Sequence, residues 1–225
     1  MYIWNWDWIW LYREQLIDAT LLTLWLNVIV LIIGSLFGVL LGLLKRTRYK
    51  IFKVIASVYI DLFRTLPVLV LLIWFYFCMP ILFDIKISAF TTSVLVLSLN
   101  LSAFIAEIVD AGIENIPRNH IESARLLGFS YWQTNKLITL PIALKNMTPP
   151  IVSQYINSIK LSVLASVIAV PELLNVSQNI ISQTYRPLEF YTFLAVIFLI
   201  ILLPWTLWSK RLESKSFFKN KKDKN

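Results

Sequence analysis

Four runs of this chain, at 19–44, 87–109, 151–170 and 188–208, are apolar over the length a helix needs to cross a bilayer. Roughly 30 Å of hydrocarbon takes about 20 helical residues at a rise of about 1.5 Å each. Of the 225 residues, 58% are hydrophobic and only 15% charged. A soluble domain of this size has nowhere to bury so much apolar side chain. The length suits one domain. The expectation is therefore an all-α, polytopic membrane protein. A fifth run, 66–79, is too short to span alone. It spans if its helix extends back through Arg64 and Asp61 to about Ala56. Arg64 and Asp61 are three apart, share a helix face and can pair, and Arg64 can snorkel to an interface. Pro67 removes a backbone donor inside this segment, so Arg64 and Pro67 are candidate hinge residues. The count is five transmembrane helices.

Lysine and arginine set the orientation. The net charge is +8, but its distribution is uneven. "KRTRYKIFK" holds five basic residues between Lys45 and Lys53, the loop at 114–150 holds four, and the tail at 210–225 holds seven. With five spans these three segments fall on one side. The other side holds only Arg13, Lys86 and Arg186. Basic segments stay cytoplasmic, so the N-terminus is expected outside and the C-terminus in the cytoplasm. The tail reads as topology and contact with anionic lipid, with no nucleic-acid role. The start "MYIWNWDWIWLYREQL" lacks the basic region of a signal peptide. Its alternating tryptophans, within residues 1–15, suit the external interface.

Polar and small residues within the spans are informative. Gly34, Gly38 and Gly42 are spaced by four and form one stripe for close helix packing. Asn100 and Glu107 share a face with Asp110 beside them. A polar stripe on a spanning helix faces the bundle interior or a wet path. Lys160 is a candidate partner for these carboxylates. Asn100, Glu107, Asp110 and Lys160 thus read either as a structural ion-pair set or as a translocation path. Cys78 is the one cysteine and reads as a packing residue. His120 is the one histidine, has no nucleophile beside it, and reads as an exposed loop residue. No metal cluster and no catalytic set is expected. No GxxxxGK[ST] occurs, so ATP, if used, must bind another polypeptide.

The segment "HIESARLLGFSYWQTNKLITLP" is the most polar internal stretch. Pro117 can open a helix, and Glu122 near its start suits the N-terminal dipole. Ile121, Ala124 and Leu127/Gly128 fall on one side. Gly128 supplies a left-handed turn, and a second short helix follows, stopped at Pro141. On the residues alone this hairpin reads equally as a knuckle seated in a partner's groove and as a connector between spans.

The segment also resembles the conserved cytoplasmic "EAA" loop of ATP-binding-cassette importer permeases. Glu122-Ser123-Ala124, Gly128 and Ile138-Thr139-Leu140-Pro141 carry the likeness. "SLNLSAFIAEIVDAGIENIPRN", "KLSVLASVIAVPELL" and "TYRPLEFYTFLAVIFLI" extend it to the polar amino-acid branch over residues 16–209. There are departures. Ser123 replaces an alanine, Phe63-Arg64-Thr65-Leu66-Pro67 lacks a Gly-Thr, Asp110 stands where a basic residue is common, and Leu161-Ser162-Val163 replaces an Asp/Asn-Thr-Ser run. The resemblance implies a type I permease with five transmembrane helices and a cytoplasmic coupling-helix loop. It implies a non-enzymatic subunit of an amino-acid importer in the cytoplasmic membrane, with no cofactor of its own. ATP-Mg is used by a cytoplasmic ATPase dimer. A second permease copy or paralogue completes the pore, and an external solute-binding protein delivers the solute. Glu122, Ser123, Ala124, Gly128, Leu140 and Pro141 are then the ATPase-coupling residues. A permease for another small solute, and an autonomous channel or scaffold, are the alternatives.

Overall fold

The computed structural model describes residues 3–222, with the side chains of Arg118, Arg125 and residues 213–222 outside that description. The expected lipid contact of the tail therefore falls largely outside the described residues. The chain folds into helices α1 (Asp7–Leu11), α2 (Arg13–Lys45), α3 (Lys50–Thr65), α4 (Val68–Ile73), α5 (Met79–Phe83) and α6 (Ala89–Glu114). They are followed by α7 (Arg118–Leu126), α8 (Tyr131–Thr134), α9 (Leu140–Leu161), α10 (Leu173–Thr184) and α11 (Pro187–Lys222). Among the described residues, four helical stretches are long and apolar enough to cross a membrane, and α3 with α4–α5 makes a bent fifth.

α2 and α6 run parallel, and the glycine stripe is their seam. Added Cβ atoms at Gly34, Gly38 and Gly42 would lie 2.8 Å from Leu101, 2.6 Å from Ile105 and 2.8 Å from Val109. Only hydrogen fits there, so the backbones meet along three helical turns. α3 returns antiparallel to α6. Ala56 and Ile60 pack with Leu41 and Ala106 in one buried cluster, and Tyr59 bonds to Ser102 at 2.8 Å. α9 is antiparallel to α2, shown by Ser35–Tyr155 at 2.6 Å and Asn27–Ser162 at 3.0 Å. α11 lies on α9 through Ser209–Ser153 at 3.0 Å.

The fifth span is not one straight helix. α3 and α4 meet at a bend of 102° around Leu66 and Pro67. A helix running on would pair the Phe63 carbonyl with the amide of residue 67, and proline has none. The side-chain amide of Asn100 supplies the missing donor, 2.8 Å from the Phe63 oxygen. Arg64 does not pair with Asp61. Its side chain runs along α6, over the Phe104 ring at 5.5 Å, and reaches Glu107 at 3.4 Å.

Two wider turns precede prolines. At Trp74–Cys78 and Asn135–Thr139 the helix takes a π turn, and the residue before Pro80 or Pro141 bonds five residues back. Proline cannot donate, and the π turn absorbs the interruption. Pro141 therefore does not stop a short helix, as the sequence suggested. The chain is helical from Tyr131 to Ile168. Cys78, expected in packing, is exposed in the first π turn.

The N-terminal segment is fastened to the far ends of α2 and α11. The Asn5 amide donates to Glu189 at 3.1 Å, Arg186 donates to the Ile3 carbonyl at 3.0 Å, and Tyr12 meets Phe190 edge-on. Trp4 stacks on Trp6, and Trp10 stays exposed.

Candidate functional site

The hairpin between α6 and α9 hangs at the Lys45 end of the bundle. Ile116 is buried and Ile121 packs against the main core, so α7 is anchored from its inner side. Ala124 is 1% exposed and faces inward too. α7 closes through a left-handed residue. Gly128 has φ +79°, and the Phe129 amide reaches back to the Ala124 carbonyl at 3.0 Å. That six-to-one bond satisfies a carbonyl the helix end would leave free. Ser130 then caps α8: its hydroxyl accepts from the Gln133 amide at 3.3 Å, and Gln133 accepts from the Ser130 amide at 2.8 Å. Reciprocal capping stiffens the turn.

The outward face differs from the expected one. Ala124 sits inside the chain, whereas Leu127, placed on its side by the sequence, is 75% exposed. Leu126, Tyr131 and Trp132 are exposed beside it, with Glu122 and Ser123. Glu122 is the fifth residue of α7, beyond the first turn where a dipole acts. His120 is exposed, but on α7 rather than in a loop. Leu140 is half exposed and Pro141 exposed, in the first turn of α9. Thus Glu122, Ser123 and Gly128 lie on the hairpin's outer side, Ala124 behind them, and Leu140 and Pro141 a π turn further along. The apolar crown of Leu126, Leu127, Tyr131 and Trp132 was missed. Its signal was available: four large apolar residues cannot all face inward from so short a turn. A cleft of about 540 Å³ opens behind the hairpin, bounded by Arg46, Glu114, Ile121, Phe129 and Tyr131 among others.

Above the cleft lie the expected carboxylates. Glu107 accepts from Lys45 at 3.0 Å, and Asp110 meets Lys45 at 2.9 Å and Arg46 at 2.8 Å. Lys160 is not their partner. α2 contacts the far end of α9 at Asn27–Ser162, 18 residues from Lys45, or about 27 Å along the helix. Lys160 is exposed at that far level. Asn100 is spoken for by the Phe63 carbonyl. The four candidate path residues thus divide among an ion-pair cluster, a helix-break cap and a distant lysine.

A second polar group, not singled out in the sequence, is buried at the far level. The Leu173 amide donates to Thr23 at 3.0 Å, and Glu172 accepts from the amides of Leu174 and Asn175 at the start of α10. Thr23 and Asn27, four apart in an apolar span, were the available signal. Loss of water pushes the buried Glu172 carboxyl up to about 7, against the two amides that favour its charge.

The glutamine transport system permease protein GlnP of Escherichia coli (strain K12) is 36% identical over 89% of this chain and 92% of its own. The arginine transport system permease protein ArtQ of Bacillus subtilis (strain 168) is 32% identical over 89% and 91%. A solved amino acid ABC transporter with histidines superposes with TM-score 0.86 at 31% identity, covering 95% of this chain and all of that one. An inward-facing MetNI methionine ABC transporter shares the fold, with TM-score 0.71 at 19% identity. A family model matches residues 31–216. On that match and these relatives, the chain belongs to the family of binding-protein-dependent transport system inner membrane components.

Proposed function

We propose that this chain is the membrane-spanning permease subunit of an ATP-driven importer that carries a polar amino acid across the cytoplasmic membrane. The observation that carries the reading is the fold match to a solved amino acid ABC transporter over nearly all of this chain. The glutamine and arginine permeases among its relatives support the substrate class. In this reading the N-terminus lies outside and the hairpin in the cytoplasm, as the basic loops require. A cytoplasmic ATPase dimer binds ATP-Mg. An external binding protein brings the solute, and a second permease copy or paralogue completes the pore. The chain itself performs no hydrolysis.

The hairpin is the dock for the ATPase. Leu126, Leu127, Tyr131 and Trp132 form an exposed apolar crown, of the aromatic and aliphatic kind that anchors interfaces. The capped Gly128 turn holds that crown rigid. α8 then runs without interruption into α9, so a displacement at the hairpin is delivered along a helix that crosses the membrane. ATP binding biases the permease only through the difference in ATPase affinity for its two states. A stiff dock passes that bias to the spans instead of absorbing it.

The test is co-expression with the ATPase encoded beside the gene, purification on the permease tag, and uptake of a panel of amino acids into proteoliposomes with the binding protein. Stoichiometric ATPase and ATP-dependent uptake of a polar amino acid are expected. Leu127→Asp with Trp132→Ala should release the ATPase while leaving the permease folded. A permease that conducts solute alone, or a double variant that retains the ATPase, refutes the reading.

A further inference from the structure

Five ion pairs at the hairpin end of the bundle link into one chain across three helices. Glu114, the last residue of α6, lies 3.8 Å from Arg46. Arg46 lies 2.8 Å from Asp110, and Lys45 bridges Asp110 at 2.9 Å and Glu107 at 3.0 Å. Arg64 meets the same Glu107 oxygen at 3.4 Å. Three cations and three anions alternate, so charge balances within the chain. One end, Glu114, sits on the wall of the cleft behind the hairpin, with Ile121 and Tyr131. The other, Arg64, stands next to the last residue of α3, at the 102° break.

The position of Asp110 explains why the chain matters mechanically. The glycine seam between α2 and α6 ends at Gly42 and Val109. Beyond it come Lys45, the last residue of α2, and Arg46 just after it, and the next residue of α6 is Asp110. Asp110 therefore continues the seam by charge where close backbone packing stops. Its side chain is 14% exposed and that of Lys45 is 21%, so water screens this contact less than an open surface pair.

We infer that Asp110 is a positioning residue for transport: by holding Lys45 and Arg46 it locks the end of α2 to α6, so that movement of the hairpin reaches Arg64 and the bent span. This rests on the importer reading. Without the lock, the hairpin end of α6 moves against α2, and the ATPase stroke is absorbed there.

The test uses the assembled transporter, with its ATPase and binding protein, in proteoliposomes. Uptake of a panel of radiolabelled polar amino acids, glutamine and arginine among them, and ATP hydrolysis are measured on the same vesicles. Asp110→Asn should lower solute imported per ATP hydrolysed on the order of tenfold, within the usual range of coupling between sites, with hydrolysis kept within about twofold. Asp110→Glu should keep the ratio. Lys45→Gln cuts the same contact from α2, reproduces the defect, and serves if Asp110→Asn does not assemble. A merely structural role lowers uptake and hydrolysis in proportion. That result, or an unchanged ratio in both variants, overturns the inference. A wild-type assembly that imports no member of the panel overturns the amino-acid reading and the inference with it, and is recognised because it involves no substitution.

Discussion

Asn100→Leu is the substitution with the most closely defined cost. It keeps the branched shape of the side chain, adds some bulk and removes one donor. The Phe63 carbonyl it serves lost its helical partner to Pro67, and the amide stands 2.8 Å away. Asn100 is 4% exposed and Phe63 9%, so water does not readily replace the donor. A buried carbonyl left unpaired costs about 1–3 kcal/mol. Hydrogen bonds between membrane helices average about 0.6 kcal/mol, up to about 1.7. The expected loss is therefore about 1–2 kcal/mol, read from reversible unfolding in mixed detergent micelles. The decisive measurement is a double-mutant cycle with Pro67→Ala. Alanine restores an amide four residues after Phe63 and lets the helix run on through Leu66, which brings that amide to the carbonyl and makes the Asn100 donor redundant. Asn100→Leu should then cost about 1 kcal/mol less in the Pro67→Ala background, the cost of the added bulk being common to both and cancelling in the cycle. Equal costs in both backgrounds would refute the capping argument, and Asn100 would have to be reconsidered as a lining residue.

Gly38→Ala should lower stability by about 1–3 kcal/mol, because its Cβ would lie 2.6 Å from Ile105 and 2.8 Å from the Ser102 carbonyl; thermal unfolding in detergent measures it. Gly128→Ala should cost only about 1 kcal/mol, since its Cβ meets open space and the penalty is the left-handed backbone alone; the same assay must rank it below Gly38→Ala. Glu172 predicts a pH slope. Its folded carboxyl titrates at about 7 against an ordinary 4.5, so the folded chain keeps a proton that the unfolded chain has released. Stability is full below about 4.5 and falls as pH rises towards 7. Unfolding of Glu172→Gln across this range should lose that part of the slope, and an unchanged slope would assign it to other groups.

What the sequence made legible follows from which interactions are local. Length and apolarity placed the spans because each helix satisfies its own backbone. The glycine stripe named a packed face because spacing by four is a property of one helix. Gly128 could be assigned its turn because left-handed backbone is a single-residue preference. The misplaced residues are those whose partners lie far along the chain. Pro67 announced a missing donor, but its replacement came from Asn100 on α6. Lys160 carried the right charge for Glu107 and Asp110, but hydropathy gives a span and not a register, and α9 carries Lys160 to the far level of the bundle. Lys45 and Arg46, read only as topology signals, turned out to be the partners.

The hairpin shows the same division from the opposite side. Its amphipathic pattern was legible, but which face is the inner one depends on what α6 offers it. Ile116 and Ile121 take the inner contact, and Ala124 is drawn in with them. Leu126 and Leu127, which a pattern of apolar residues would bury, are left outside. An exposed leucine pair is ordinary on a lipid-facing helix and costly on a capped turn in water. Retaining it there makes physical sense only where another surface covers it, and that makes the crown, more than the motif residues behind it, the place where an ATPase would be held.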